Sequence, residues 1–368
     1  NWLFFLTCLG ISILGVVIIY SANHARPEAF FRGLYIKQIY WIGYGLVAML
    51  IALALDYRWF SRYAYLIYFF TLLALAYVLV SGVVVSGSRR WIHIGSISIQ
   101  VSEFAKVSLI IVLAKYFETG KMSGPYKLKD LFIPALMTGV LGGLIVTQPD
   151  LGTTMMIFFI FLVFVVAIEM ETMTLIKLFS SGLLLAPAIW FYLKDYQKSR
   201  LLTLFNPELD PLGAGYHSIQ SKIAIGSGGF WGKGLLAGTQ SRLNFLPEKH
   251  TDFIFSVFAE ETGFFGVAVL LSLFLFVILK GLNIAFRAVD RFGFFLSLGL
   301  ISSIAFYIIF NVGMTIGLFP ITGIPLPLMS YGGSSLITNF FAIGLLLNVE
   351  MRRTSHYQFF RDRTPPQR

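Results

Sequence analysis

Apolar runs of roughly 20 residues recur from Leu3 to Val349, and they restrict this chain to very few folds. In hydrocarbon no water satisfies backbone N–H and C=O groups, so each run must close its hydrogen bonds within itself as a helix or belong to a closed barrel. The runs lack the short apolar–polar alternation of a membrane barrel. Helical spans are expected near Leu3–Tyr20, Tyr35–Leu55, Ala64–Val85, Ser102–Phe117, Leu131–Thr147, Thr153–Ile168, Met173–Leu193, Phe264–Lys280, Phe294–Phe319 and Gly333–Val349. The expected class is all-α, a polytopic membrane protein of about ten transmembrane helices forming one unit over 1–368. A large extracytoplasmic loop, 194–262, separates spans seven and eight.

Composition excludes the alternatives. Hydrophobic residues make up 57% and charged residues 12%, about half the charged share of a soluble domain. That removes a water-soluble globule, a disordered chain and a repeat solenoid. The single Cys8 rules out an intrachain disulfide and a cysteine-based metal cage. A net charge of +10 would suit nucleic acid, but the basic residues fall in short links between apolar runs, as membrane orientation requires. Links and tail on one side carry Arg58, Arg62, Lys121, Lys127, Lys129, Lys280, Arg287, Arg291 and the C-terminal arginines. The opposite short links carry Arg26, Arg32, Arg89 and Arg90. Both termini are therefore expected in the cytoplasm, and the 194–262 loop outside. The chain opens on Asn1, which suggests a trimmed N-terminus, and its first apolar run reads as a retained span.

The long loop is too apolar for disorder, with Leu201, Leu202, Phe205, Phe230 and Trp231 among its residues. Ile219 and Ile223 stand one helical turn apart, which predicts a short helix in the outer headgroup layer. Other external pieces are Ser86–Val101 and Pro320–Gly332, so function is expected on the outer face.

Several residues carry two readings. Asp252 precedes an apolar helix and reads first as its N-cap. It also reads as a partly desolvated general base beside Lys249 and His250. Glu103 and Lys106 share a helix face, as a structural ion pair or as a phosphate contact. Arg89-Arg90-Trp91 is an interfacial anchor or a pyrophosphate site. In Gln148–Thr153, Asp150 or Thr153 reads best as a helix cap. Gly226–Gly234 has the look of a phosphate loop but departs from the P-loop pattern at Ser227 and Gly234, so a turn is expected. Three prolines and three glycines prevent a helix over 319–335; the stretch is a packed re-entrant link or the floor of a cleft. No hydrolase elbow or zinc-binding helix motif is present.

Together these blocks resemble the SEDS family (shape, elongation, division and sporulation proteins). The resemblance is carried by Ser88-Arg89-Arg90-Trp91-Ile92, Ser102-Glu103-Phe104-Ala105-Lys106, Gln148-Pro149-Asp150-Leu151-Gly152-Thr153 and Gly215-Tyr216-His217. It continues through Gln220-Ser221-Lys222, Gly238-Thr239-Gln240-Ser241, Pro247-Glu248-Lys249-His250-Thr251-Asp252-Phe253 and the break over 325–334. The family reads Pro where Ser102 stands. The resemblance implies ten transmembrane helices and a peptidoglycan glycosyltransferase that polymerises lipid II at the outer face of the bacterial cytoplasmic membrane. It implies Asp252 as the essential acidic residue, displacing the cap reading, with the family's Glu–Lys pair at Glu103 and Lys106 and its loop Trp at Trp91. It also implies a class B penicillin-binding protein as partner, alongside other elongation-complex membrane proteins, and favours the elongation branch over the division branch.

The reaction then asks for a base, assigned to Asp252, and for pyrophosphate stabilisation by Lys106, Arg90 or Lys249. Gln220, Ser221 and Ser330 are candidate substrate contacts. No organic cofactor is expected; a divalent cation, Mg or Mn, is an open expectation. The rival readings are a flippase for lipid-linked precursors and a structural scaffold. The collection of polar residues on the outer side favours surface catalysis over the flippase, and a scaffold would leave the charged external residues dispensable.

Overall fold

The computed structural model describes residues 1–24, 31, 33–85, 88–94, 97–120, 125–174, 176–177, 180, 187, 191, 194–210, 213–239, 246 and 248–361. The helices are α1 (Trp2–Asn23), α2 (Leu34–Ala54), α3 (Tyr57–Arg62), α4 (Ala64–Ser81), α5 (Val101–Glu118), α6 (Phe132–Thr147), α7 (Leu151–Ala167), α8 (Asp195–Phe205), α9 (Ala214–Ser227), α10 (Ile254–Phe286), α11 (Arg291–Thr315) and α12 (Gly333–Arg361). Among the described residues seven helical segments are long and apolar enough to cross a membrane, and α7 is a shorter apolar helix. The expected seventh span, Met173–Leu193, falls largely outside the described residues.

The helical class holds, with corrections at several ends; the last helix runs on to Arg361, past the expected Val349. The third span stops at Ser81 rather than Val85, because Val83–Val85 is β1 of a small antiparallel sheet with β2 (Ser88–Ile94) and β3 (Ile97–Gln100). β-branched valines and isoleucines at the helix exit favour strands, and the apolar-run reading did not separate them from the span. The ninth span ends at Thr315, before Gly317, whose φ of 81° no L-residue adopts easily. The eighth helix begins at Ile254, ahead of the expected Phe264, and bends at Gly263.

That bend explains the glycine-rich segment. At Gly263 (φ 66°, ψ −168°) α10 loses its ladder, stranding the N–H groups of Phe264 and Phe265 and the carbonyls of Glu260 and Glu261. Each unsatisfied group in a low-dielectric layer costs several kcal/mol. The 228–234 turn supplies all four partners. Phe264 N–H donates to the Gly229 carbonyl (2.9 Å) and Phe265 N–H to the Phe230 carbonyl (3.1 Å). The Lys233 and Gly234 N–H groups donate to the Glu260 and Glu261 carbonyls (3.0 Å each). The two backbones approach so closely that a Cβ on Gly232 would collide with the Glu261 carbonyl. The glycines therefore repair a membrane helix.

The short helix that the pattern predicts is present as α9, packed against α10. Ile219 and Ile223 are exposed on one face, while Ser221 and Ala224 are buried on the other. At the opposite end, buried Asn348 donates to the carbonyls of Ala52 (2.8 Å) and Leu53 (3.0 Å), closing the terminus of α2. The N-terminus meets α12 at that end, where the Asn1 amide bonds Glu350 (3.2 Å). Gly232→Ala, at φ 80°, is expected to cost about 2 kcal/mol and lower the melting midpoint in detergent. Gly226→Ala, where a Cβ meets nothing within 4 Å, should not. Equal melting of the two variants would refute the close-approach account.

Candidate active site

The turn before α10 carries Asp252. The Thr251 and Phe253 N–H groups both donate to the Glu248 carbonyl (3.3 and 3.2 Å), and the Thr251 hydroxyl donates to the Glu248 carboxylate (3.0 Å). The N-cap of α10 is Phe253, with no side-chain cap bond, so the cap reading of Asp252 fails. Among the described residues no group hydrogen-bonds its carboxylate. Asp150 differs: it caps α7 through Thr153 N–H (3.2 Å) and accepts from Thr153 Oγ1 (3.0 Å), Ser102 Oγ (3.2 Å) and Gln100 Nε2 (3.2 Å).

The irregular 316–332 segment is the platform under this turn. Ile324, Leu326, Leu328 and Met329 are buried, as a packed re-entrant link requires. Ser330 Oγ accepts from Leu326 N–H (2.8 Å) and donates to the Thr251 carbonyl (2.6 Å), while Tyr331 N–H donates to the His250 carbonyl (2.9 Å). Asn311 of α11 donates to the carbonyls of Asp252 (2.9 Å) and Ile324 (2.7 Å). Gly323 (φ 73°) faces the carboxylate, and a Cβ there would stand 3.4 Å from Oδ2. Phe253 sits in a small apolar cluster with Ala224, Leu246 and Ile321.

Asp252 keeps a partly exposed edge at the mouth of this arrangement. Burial of its carboxyl group raises its pKa to about 7, Glu248 adds to the rise, and Arg200 and Arg90 oppose it. A carboxylate tuned to neutrality suits a general base. Burial pushes His217 the other way, downward; its ring lies 6.0 Å from that of Phe253.

The other expected site residues divide. Arg90 reaches this region, but its guanidinium also donates to the Gln148 carbonyl (3.0 Å) and the Pro149 carbonyl and pairs with Asp150 (3.8 Å). Trp91 is half-buried on β2, opposite Gln100 of β3. Lys106 and Glu103 are buried and bonded to each other (2.7 Å); the ammonium lies 4.2 Å from the Tyr307 ring centre, and the Tyr307 hydroxyl bonds Glu103 (3.3 Å). Gln220 is half-buried on α9. Ser221 is wholly buried, its hydroxyl on Ser256 Oγ and the Thr315 carbonyl (2.7 Å each), so it fastens α9 to α10 and α11. Lys249 is wholly buried, and Ser330 stitches the platform to the turn.

Sequence reading passed over Arg200, Asn311 and the buried Glu260–Glu261 pair. Glu260 accepts from Lys233 Nζ (2.8 Å) and from Thr239 N–H (2.8 Å). The missed signal was a polar residue inside an apolar helix, which marks Asn311 and both glutamates. Arg200 had no comparable signal.

These features define a class: a polytopic helical membrane protein with a desolvated carboxylate at one end of the bundle. The sequence model of the cell cycle protein family of FtsW, RodA and SpoVE matches residues 1–355, and the chain belongs to this family. It is 37% identical to peptidoglycan glycosyltransferase MrdB of Escherichia coli, over 95% of this chain and 92% of that protein. It is 35% identical to peptidoglycan glycosyltransferase RodA of Treponema pallidum, over 96% and 98%. Among solved structures it resembles the rod shape determining protein RodA of Thermus thermophilus (TM-score 0.70, 30% identity, 96% and 97% covered). It also resembles a chain from a study of polymerization and crosslinking by a peptidoglycan synthase complex (TM-score 0.82, 32% identity, 96% and 98% covered).

Lys106→Met is expected to cost about 3–5 kcal/mol, because it strands Glu103 in a buried site. Adding Glu103→Gln should recover most of that loss. Thermal melts of the four proteins of the cycle measure the coupling, and strictly additive losses would refute the buried-pair account.

Proposed function

We propose that this chain is a peptidoglycan glycosyltransferase that polymerises lipid II at the outer face of the cytoplasmic membrane, serving cell elongation and shape. The observation that carries this reading is Asp252: a carboxyl group tuned to about 7, on a rigid platform at one end of a membrane bundle, faced by Arg90 and Arg200. The relatives named as peptidoglycan glycosyltransferases support the reaction class. Both termini lie at the opposite, cytoplasmic end in this reading, consistent with the basic links there.

The acceptor sugar's 4-hydroxyl gives its proton to Asp252 as its oxygen attacks the anomeric carbon of the donor. The bond from that carbon to the pyrophosphate oxygen breaks, and the lipid pyrophosphate departs with the electron pair. Arg90 and Arg200 present positive charge toward this region and stabilise the leaving group, with Lys249 and the Lys106–Glu103 pair behind them. The 316–332 platform and α9, with Trp91 and Gln220, hold the two lipid-tethered sugars in line. Among the described residues no group of three or more Asp, Glu, His or Cys side chains is placed to hold a metal ion, so the Mg²⁺ or Mn²⁺ expectation finds no such cluster here. A class B penicillin-binding protein partner fits the likeness to a chain from a synthase complex.

The test mixes purified protein, the penicillin-binding partner and lipid II in detergent. Polymer should form with the wild type and fall at least about 10²-fold with Asp252→Ala. Undiminished polymer from a folded Asp252→Ala protein would refute the base assignment. The rate should also fall about tenfold per pH unit below a limb near 7, because the base works ionised.

Stability runs in the opposite sense. Because folding raises the Asp252 pKa from 3.8 to about 7, the folded state holds its proton more tightly. The residue's contribution is thus fully present below about 4 and is lost as pH rises toward 7. Asp252→Asn should therefore melt higher than wild type at pH 8 and nearly level with it at pH 4; the reverse order would exclude a desolvated carboxylate.

A further inference from the structure

The platform and the turn that carries Asp252 come from segments some 70 residues apart, and besides Ser330 the buried side chain of Asn311 joins them. Asn311 stands near the end of α11 and is wholly buried. Its amide nitrogen donates to the carbonyl of Asp252 itself (2.9 Å) and to the carbonyl of Ile324 (2.7 Å). A carboxamide has two N–H donors, and both are used. Ile324 adjoins Gly323, the residue whose backbone faces the Asp252 carboxylate. One amide thus sets the height of the catalytic residue's backbone and of the floor beneath its side chain. Asn311 Oδ1 is buried without a hydrogen-bond partner among the described residues. An orphaned acceptor disfavours folding, so the amide persists in this orientation because of what its nitrogen holds.

We infer that Asn311 is a positioning residue for the glycosyl transfer: it fixes the Asp252 backbone against the Ile324 platform and so holds the carboxylate in the geometry that accepts the sugar proton. The inference rests on the reading of Asp252 as general base. Asn311 lies below the turn and touches backbone, so it acts through Asp252 and not on the substrate. Placement errors of about 1 Å at a reacting group cost on the order of 10²-fold in rate, even when substrate binding is untouched. Removing the tether should therefore act on kcat and spare KM.

The pH profile supplies a readout that a merely structural residue would not move. Facing the carboxylate are Glu248 from its own turn, Arg200 from α8 and Arg90 from β2. Lys249 and His250 flank it along the chain. His217 of α9 neighbours Phe253 and is pushed below its ordinary value by burial. α11 and the platform present Asn311 and Gly323, neither of which ionises. Loosening the turn admits water to the carboxyl group, and the limb near 7 should move toward lower pH.

The experiment measures lipid II polymerisation by the full chain with its partner, for wild type, Asn311→Leu and Asp252→Asn. Asn311→Leu keeps the branched four-atom side chain and removes both donors. It is expected to lower kcat at least about 30-fold with KM within about twofold, and to shift the limb downward by half a pH unit or more. Unchanged kcat, or a proportional rise in KM with an unmoved limb, overturns the inference. Should Asn311→Leu fail to fold in detergent, Asn311→Ser, which keeps one shorter donor, is read by the same criteria with an intermediate kcat expected. Polymerisation by folded Asp252→Asn would instead remove the general base. A silent Asp252→Asn beside a fully active Asn311→Leu removes the positioning role alone.

Discussion

Every backbone group in a membrane protein needs a partner that the lipid does not provide, and the breaks in these helices show how that need is met. α2 ends on the amide of Asn348. α10 bends at Gly263 and borrows four hydrogen bonds from the 228–234 turn. The non-helical 316–332 segment closes on Ser330, Asn311 and its own carbonyls. Two of these repairs sit at the same end of the bundle. They give that end a fixed irregular surface, which continuous helices cannot form, and Asp252 stands on it.

The same physics separates two aspartates. Asp150 and Asp252 each precede a helix, and a cap was the natural reading of both. Asp150 fulfils it, with a backbone N–H, two hydroxyls and an amide on its oxygens and Arg90 beside it. Asp252 has no such donors among the described residues, because the N-cap falls one residue later, on Phe253. Desolvation without compensating donors favours the protonated form and makes the ionised form a stronger base. One residue of helix register distinguishes a capped carboxylate from an uncapped one.

What the sequence disclosed and what it concealed follow from the range of the interactions. Helices declare themselves through local apolar runs, and α9 through Ile219 and Ile223 on one face. The family blocks marked Asp252, Glu103 and Lys106. The bend at Gly263 was not legible, because its stability comes from a turn 30 residues earlier; the glycines there were noted for a different reason. Ser221 and Ser330 looked like substrate contacts, whereas the fold commits their hydroxyls to Ser256, Thr315, Leu326 and Thr251. Periodicity cannot say which distant carbonyl a hydroxyl will meet. Arg200 and Asn311 became visible only when α8, α11 and the turn were placed together.

Depth decides between catalysis at a face and passage through the membrane. Helices rise about 1.5 Å per residue, so Lys106, five residues into α5, lies about 7.5 Å below its start. Asn311, four residues from the end of α11, lies about 6 Å from that terminus. The midplane of a bilayer core is about 15 Å from either edge. A carrier for an anionic lipid headgroup needs polar groups across that middle zone, because a charge there without partners costs several kcal/mol. The polar side chains around Asp252 stay within the outermost turns of their helices, and below them α5 continues with Leu109–Leu113, all buried in the bundle. The charged side chains around Asp252 thus stay near one end of the bundle, with the packed hydrocarbon of Leu109–Leu113 beneath them.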